Sequence, residues 1–467
     1  MSSIAQPLDC AMIGYKMQRR VIIVSNRLPV HITRDGSGLT INRSIGGLAT
    51  GLSAVGKKHP ALWVGWAGNR QPFSKREHAT LSLPPSIAPV AIPARLLHRY
   101  YDRFANGVLW PTLHAMQPHA RDDQADWEAL QAVTARFAQT VATNCQPHDL
   151  IWVHDFHLML LPQALREMGV HNPIGFFLHT PFPPAAIFMN ITEHRALLAG
   201  IAAANLRGFQ TTRDMRRFQA CARAARIPMP AGTRSKVFPI GIDFDEYANA
   251  GKLASVHEYL GQLSPSVQGQ RVVLSVSRLD YTKGIIEQLQ GFARAVDQHD
   301  LRHIRYHLIV APSREARHEY RTLQRTVEKN VAAINATFHE KKQTAHVSYA
   351  YRNHGFEELN AWYRLADVLL VTPYIDGMNL VAKEYIAARA QPGTLVLSRL
   401  AGAAEQLRDA LLVTPHSVQS IANGLYAALT MPAPEKQHRW NQLQANVRTQ
   451  NVFWWSDAFI ACLKHDT

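Results

Sequence analysis

Val272-Val-Leu-Ser-Val276, followed by Arg278-Leu279-Asp280-Tyr281-Thr282-Lys283-Gly284, is the stretch whose reading decides the fold. An apolar run short enough to be a buried strand leads directly into two cations and a glycine that can open a helix. A strand that carries positive charge to a helix start is a place to hold a doubly charged phosphate. A matching half lies near the beginning of the chain. There Val21–Val24 is another buried-strand run, it ends in Ser25, Asn26 and Arg27, and a Gly46-Gly47-Leu48 turn opens a helix soon after. Together the two halves imply a cleft between two α/β domains, with an anionic ligand clamped from both sides.

Short apolar runs alternate with helical stretches along the whole chain, the pattern of parallel sheets with crossover helices. The first series of strands is expected at Val21–Val24, Leu62–Gly65, Leu150–Val153, Ile174–Leu178 and Leu206–Phe209. A second is expected at Val272–Val276, His307–Val310, Val347–Tyr349, Val368–Val371, Leu395–Ser398 and Leu411–Val413. Between them Phe238-Pro239-Ile240-Gly241-Ile242 breaks the rhythm and reads as an inter-domain hinge. The expected organisation is a disordered extension over 1–20, one domain over 21–241, a second over 242–435 and a helical segment over 436–467. In that last segment Trp440, Phe453, Trp454, Trp455, Phe459 and Ile460 recur at helical spacing, and a helix crossing back onto the first domain would bury them.

A chain of 467 residues, 47% hydrophobic and 18% charged, is long enough for two or three packed domains. The net charge of +15 attracts nucleic acid, acidic membranes or small phosphorylated substrates alike. No run of five Lys or Arg occurs, and the densest cluster, Arg213 to Arg226, is spaced like the polar face of a helix. Small phosphorylated molecules are therefore the expected partners, rather than nucleic acid or membrane. The four cysteines, at 10, 145, 221 and 462, form neither a CxxC pair nor a disulfide framework. With no signal peptide core or spanning segment, a cytoplasmic protein is expected.

Two motifs invite other chemistries. Gly51–Lys58 stops one residue short of an ATPase phosphate loop and falls inside or at the end of a helix rather than between strand and helix, so ATP hydrolysis is rejected. His154-Asp155-Phe156-His157 could suggest a metal, but alternation on a strand end would put only Asp155 and His157 on one face, with no third ligand nearby. No metal is expected.

In order along the chain, Ser25–Pro29, Gly46–Leu48, Tyr100–Pro111, His154–His157, Phe176–Pro183, Gly208–Thr211, Arg278–Gly284, Asp376–Glu384 and Ser398–Glu405 resemble the motifs of the trehalose-6-phosphate synthases. The resemblance runs from Val21 to about Leu463. It implies two Rossmann-like domains with parallel sheets facing a central cleft, the B-type glycosyltransferase fold. It also implies transfer of glucose from UDP-glucose to glucose 6-phosphate with retention, giving α,α-trehalose 6-phosphate and UDP, and a homo-oligomer. UDP-glucose is then a substrate and no cofactor is expected.

In such a reaction negative charge grows on a departing diphosphate, and preorganised donors aimed at it lower the barrier. Arg278 and Lys283 are the residues chosen for that role, joined by the amides of Gly46 and Gly47. A surface ion pair between Arg278 and Asp280 is the plain structural alternative. The loop Asp376-Gly377-Met378-Asn379-Leu380-Val381 leads into a helix carrying Lys383 and Glu384, and free amides at a helix start suit an anion. An ordinary Asp-Gly turn would look the same. By resemblance Asp376 holds hydroxyls of the donor glucose, Asn379 to Val381 present amides and Glu384 holds the ribose. By resemblance also, Asp155 faces the acceptor sugar, His179 hydrogen-bonds the donor glucose with Gln210 near it, and Arg27, Tyr101, Trp110 and Arg314 bind the acceptor phosphate. Two alternatives stand beside this reading: a pseudo-glycosyltransferase joining cyclitols through nitrogen, and a non-catalytic sugar-phosphate-binding regulator.

Overall fold

The structure is a computed structural model that describes residues 19–35, 38–43, 47–68, 86–119, 123–315 and 317–464. The expected disordered start lies, but for its last two residues, outside the described residues, as does Gly46. Two parallel sheets carry the chain. The strands of the first half are β1 (Val21–Arg27), β2 (Val30–Asp35), β3 (Gly38–Arg43), β4 (Ala61–Trp66), β5 (Ile87–Pro89), β6 (Leu150–His154), β7 (Ile174–Leu178), β8 (Leu206–Phe209) and β9 (Arg234–Val237). Seven of them form one sheet in the order β5-β4-β1-β6-β7-β8-β9, and every pairing in it is parallel. The second half contributes β10 (Arg271–Arg278), β11 (Ile304–Ala311), β12 (His346–Tyr351), β13 (Val368–Val371), β14 (Thr394–Ser398) and β15 (Leu411–Val413). They form a parallel sheet ordered β12-β11-β10-β13-β14-β15.

All eleven expected strands are present. Sequence alternation missed the β2–β3 antiparallel hairpin and the edge strands β5 and β9, which are short and carry few fully buried positions. Central strands such as β6 and β7 are buried at every residue, because helices cover both faces of a parallel sheet. Among the described residues, no helix is long and apolar enough to cross a membrane.

In each sheet the strand order reverses beside one strand: β1 lies between β4 and β6, and β10 between β11 and β13. Ligands of open α/β sheets bind at the carboxyl ends of strands at such a switch point. Arg27 is the last residue of β1 and Arg278 the last of β10.

The C-terminal helix Val452–Lys464 returns to the first sheet, as the aromatic spacing predicts. Phe459 stacks on Trp152 of β6 at 4.4 Å between ring centroids, and Trp455 lies 4.8 Å from the same ring. Gly175 of β7 and Gly208 of β8 leave the room for Phe459. Trp440, on the preceding helix, packs against Tyr385 of the second domain instead, and Trp454 is exposed. Apolar core is thus continuous between the two halves. The Val452 amide donates to the Ile242 carbonyl, which ties the start of the C-terminal helix to the segment between the two sheets.

Candidate active site

From the second domain, the loop after β10 is built around Asp280. Its buried carboxylate accepts from the Thr282 amide (3.0 Å), the Arg314 guanidinium (3.0 Å) and the Tyr320 hydroxyl (3.2 Å). Burial opposes its ionisation, but Arg314, Arg278 and Lys283 outweigh that and hold its pKa below the usual range. Gly284 then adopts φ +63°, and a side chain there would run into the Thr372 carbonyl, so only glycine opens the helix Ile285–His299 at this point. The alternative Arg278–Asp280 ion pair does not form. Asp280 is taken by Arg314, and Arg278 is exposed with no carboxylate within ion-pair distance among the described residues.

Lys283 donates to Asp376 at 2.7 Å, and Asn379 reaches the same carboxylate oxygen at 3.2 Å. Asn379 caps the helix Leu380–Ala388 by accepting from the Ala382 amide, at φ 106°. That conformation costs a non-glycine residue roughly 1–3 kcal/mol and persists where surroundings impose it, typically at functional sites. Glu384, further along this helix, accepts from the Tyr363 hydroxyl at 2.8 Å, and burial raises its pKa. Met378 is buried. Gly377 touches the backbone of His179 and Thr180, a close approach between the two domains that a Cβ would prevent.

From the first domain, Arg27 is exposed and its guanidinium lies 4.7 Å from the Trp66 ring centroid and 5.6 Å from that of Tyr101. Tyr101 stacks on His157 at 5.8 Å. Tyr101 belongs to the helix His98–Leu109, wound with wide i→i+5 turns, and Trp110 follows it. Turns of that kind gather at functional sites. Trp110 joins the halves: the Arg314 guanidinium lies 4.4 Å from its ring centroid and that of Arg278 5.9 Å. Its indole N–H is buried without a hydrogen-bond partner, as are both ring nitrogens of His157 and the hydroxyls of Thr180, Thr282 and Thr372. A polar ligand could satisfy these orphaned groups.

The His154–His157 stretch departs from the alternation expected of a strand end. β6 stops at His154, Asp155 takes φ 72°, and Phe156–Leu158 is a 3-10 turn. Asp155 therefore turns back to accept the His179 amide at 3.2 Å, and burial pushes its pKa up to about 6. The histidines instead join a relay. The Ile240 amide donates to Gln210 Oε1 (2.9 Å), which fixes the side-chain amide so that Nε2 donates to His179 Nδ1 (3.3 Å). His179 is then the Nε2–H tautomer and donates to His154 Nδ1 at 3.1 Å. Both ring nitrogens of His179 are engaged by the protein, and burial lowers its pKa to about 3. Among the described residues, no group of three or more His, Cys, Asp or Glu side chains gathers as a metal site.

Gly47 starts the helix Gly47–Lys58. Gly51–Lys58 lies wholly within it, as the rejection of a phosphate loop requires. The partners in three contacts could not be read from the sequence. Glu405 accepts the Thr212 amide across the cleft at 3.0 Å, capping a helix of the other domain. Buried His114 lies against Trp110 at 4.1 Å. Lys383, wholly buried without a carboxylate partner, donates to the Ile240 carbonyl and to Gln406 Oε1, each at 2.6 Å, and so ties the second domain to the hinge. Burial pushes its pKa down to about 7.

The fold and this cleft are those of a two-domain glycosyltransferase with parallel sheets facing one another. More particularly, the chain belongs to glycosyltransferase family 20, whose model matches residues 19–465. It is 34% identical to the α,α-trehalose-phosphate synthase (UDP-forming) of Schizosaccharomyces pombe, over 96% of this chain and 90% of that one. It is 35% identical to the trehalose-6-phosphate synthase of an Enterobacter species, over 96% of both. Among solved structures, a Burkholderia xenovorans α,α-trehalose-phosphate synthase in complex with glucose 6-phosphate superposes with TM-score 0.85 at 33% identity, covering 96% of this chain and all of that one. An Escherichia coli structure bound with UDP-2-fluoro glucose gives TM-score 0.85 at 33% identity, over 95% and 99%.

Proposed function

We propose that this chain transfers glucose from UDP-glucose to glucose 6-phosphate, forming α,α-trehalose 6-phosphate and UDP. The observation that carries the reading is the pair of exposed guanidinium groups, Arg27 and Arg278, at the carboxyl ends of the two switch-point strands. A donor diphosphate and an acceptor phosphate need one cationic region each.

Arg278 and Lys283 act on the leaving diphosphate, with the amides at Gly46 and Gly47 and at the start of the helix Leu380–Ala388 completing its cradle. Lys283 is neutralised by Asp376 in this structure, so Asp376 holds the ammonium in place while presenting its carboxylate to donor hydroxyls. Glu384, oriented by Tyr363, takes the ribose. His179 meets the donor glucose by exchanging its bond with His154. Arg27, Tyr101, Trp110 and Arg314 surround the acceptor phosphate, with Arg314 already aligned by Asp280 and Tyr320.

The product keeps the donor's α configuration. The bond from the anomeric carbon to the diphosphate breaks, the acceptor anomeric oxygen attacks from the same face, and its proton passes to the leaving phosphate oxygen. Asp155, partly protonated near pH 6, orients the acceptor rather than forming a covalent intermediate. The enzyme works without a metal ion, in the cytoplasm and as a homo-oligomer. Chelator treatment is expected to leave turnover intact, and a loss restored by added Mg²⁺ would overturn the metal-free part.

The test is nucleotide release from UDP-glucose and glucose 6-phosphate, with each omitted in turn. Release that needs both sugars is expected. Release from UDP-glucose alone would make the chain a hydrolase, and none with any nucleotide sugar would favour a regulator.

A further inference from the structure

The basic cluster Arg213 to Arg226 is not consumed by the cleft. On the helix Thr212–Ala224, Arg213 is committed to the Leu400 carbonyl and Arg217 to that of Phe182. Arg223, in the last turn, is exposed, and no carboxylate pairs with it among the described residues. It lines a cavity of about 330 Å³ with Gln219, Met229, Thr233, Ser235 and Arg207.

Arg207 is the unusual member. On β8 it is 2% exposed, yet its guanidinium meets only neutral acceptors: Ser235 Oγ (3.0 Å), Thr233 Oγ1 (2.9 Å) and the carbonyls of Ala202 and Ala204 (3.0 and 3.2 Å). A buried cation without a counter-charge is costly, and burial pushes its pKa down to about 10. Its five N–H donors make four bonds, so one is left over. Ser235 accepts from Arg207 and keeps its own proton for another partner, whereas the Thr233 hydroxyl is spent on the Pro230 carbonyl. No acidic side chain lines the cavity, and Ile227 and Met229 give it an apolar wall. Two guanidinium groups, a hydroxyl and an amide beside an apolar wall suit a small molecule with a carbon skeleton and one doubly charged phosphate.

We propose that this cavity is a second anion site, which takes a small phosphomonoester apart from the substrate cleft. The helix that reaches from the cleft to Arg223 sets the two sites about 15 Å apart at 1.5 Å per residue. Arg207 also lies three positions before Gln210, which follows the same strand and holds the His179 relay.

Titration calorimetry with glycerol 3-phosphate, and with inorganic phosphate as the bare anion, tests this on the full chain, on R27A and on R223Q. Arg223 is exposed, so R223Q should fold normally and keep its basal activity. The expected result is a saturable event, one per chain, that survives in R27A, is weakened at least tenfold in R223Q, and is tighter for the ester than for inorganic phosphate. S235A should weaken it too. An event lost in R27A, or unchanged in R223Q, would place all binding in the cleft and overturn the proposal.

Discussion

Gly377→Ala is the substitution whose effect the structure fixes most closely. A methyl group at Gly377 would lie 1.9 Å from the His179 carbonyl oxygen, whereas ordinary contact begins at 3.4 Å. The difference, 3.4 − 1.9, requires a movement of 1.5 Å. Both obstacles are backbone, so no rotamer change relieves it. Nor can the loop retreat into its own domain, because Gly402 is packed against the Gly377 carbonyl from behind. The displacement must pass to the contact between the domains. A misplacement of about 1 Å in a two-substrate site can cost roughly 100-fold in rate, equivalent to about 2.7 kcal/mol of activation free energy. Steady-state kinetics with both substrates varied should show kcat reduced by about that factor, with a near-normal melting temperature because the clash is confined to the cleft and leaves the buried apolar core untouched. Gly56→Ala, in a helix with open space around the position, is the control and should be silent. A folded Gly377→Ala protein with kcat within threefold of the parent would refute the reasoning.

Arg278→Ala should lower kcat by roughly 100-fold, the scale of losing one transition-state donor, and unchanged turnover would remove Arg278 from the leaving-group site. Arg27→Ala should chiefly raise KM for glucose 6-phosphate; if only the KM for UDP-glucose rose, the acceptor would not lie on the first domain. Lys383→Met tests the hinge by pH. The folded-state pKa of Lys383 is depressed from 10.5 to about 7, so between those values the unfolded chain binds a proton that the native chain does not. The stability linked to Lys383 is therefore fully present above pH 10.5 and is lost as pH falls toward 7, by at most about 1.4 kcal/mol per pH unit. Urea unfolding at pH 7, 8 and 9 should show parent stability rising against Lys383→Met, and parallel curves would contradict the assignment.

The sheets were legible because parallel strands buried on both faces leave unbroken apolar runs, and the polar residues after each run marked the cleft. Edge strands escaped because β5 and β9 bury too little to leave a run. Arg27 and Arg278 stood out as cations at strand ends, whereas Tyr101 and Trp110 were picked out only by the family resemblance; the structure adds that Trp110 lies against Arg278 and Arg314 of the other domain and that Tyr101 lies beside Arg27 and His157. The His154–His157 pattern misled because Asp155 leaves the strand through a positive φ, which period-two alternation cannot express. Glycines 377 and 402 look like turn residues in sequence, whereas Gly377 lets its backbone approach that of His179 in the other domain, and Gly402 leaves room for the Gly377 carbonyl behind it. Lys383 was placed on its helix, but its partners could not be read, since Ile240 and Gln406 are far from it along the chain. Nothing local tells that Val452 meets Ile242, since the two are far apart along the chain.

The most direct test of the central claim is the structure of the product. The chain should be given UDP-glucose, carbon-13 labelled at the glucose anomeric carbon, with unlabelled glucose 6-phosphate, and the purified product read by NMR. The account predicts a non-reducing disaccharide monophosphate whose labelled carbon carries an α linkage to the anomeric oxygen of the phosphorylated glucose. A labelled β linkage, a bond to any other hydroxyl, or labelled free glucose as the sole product would contradict it.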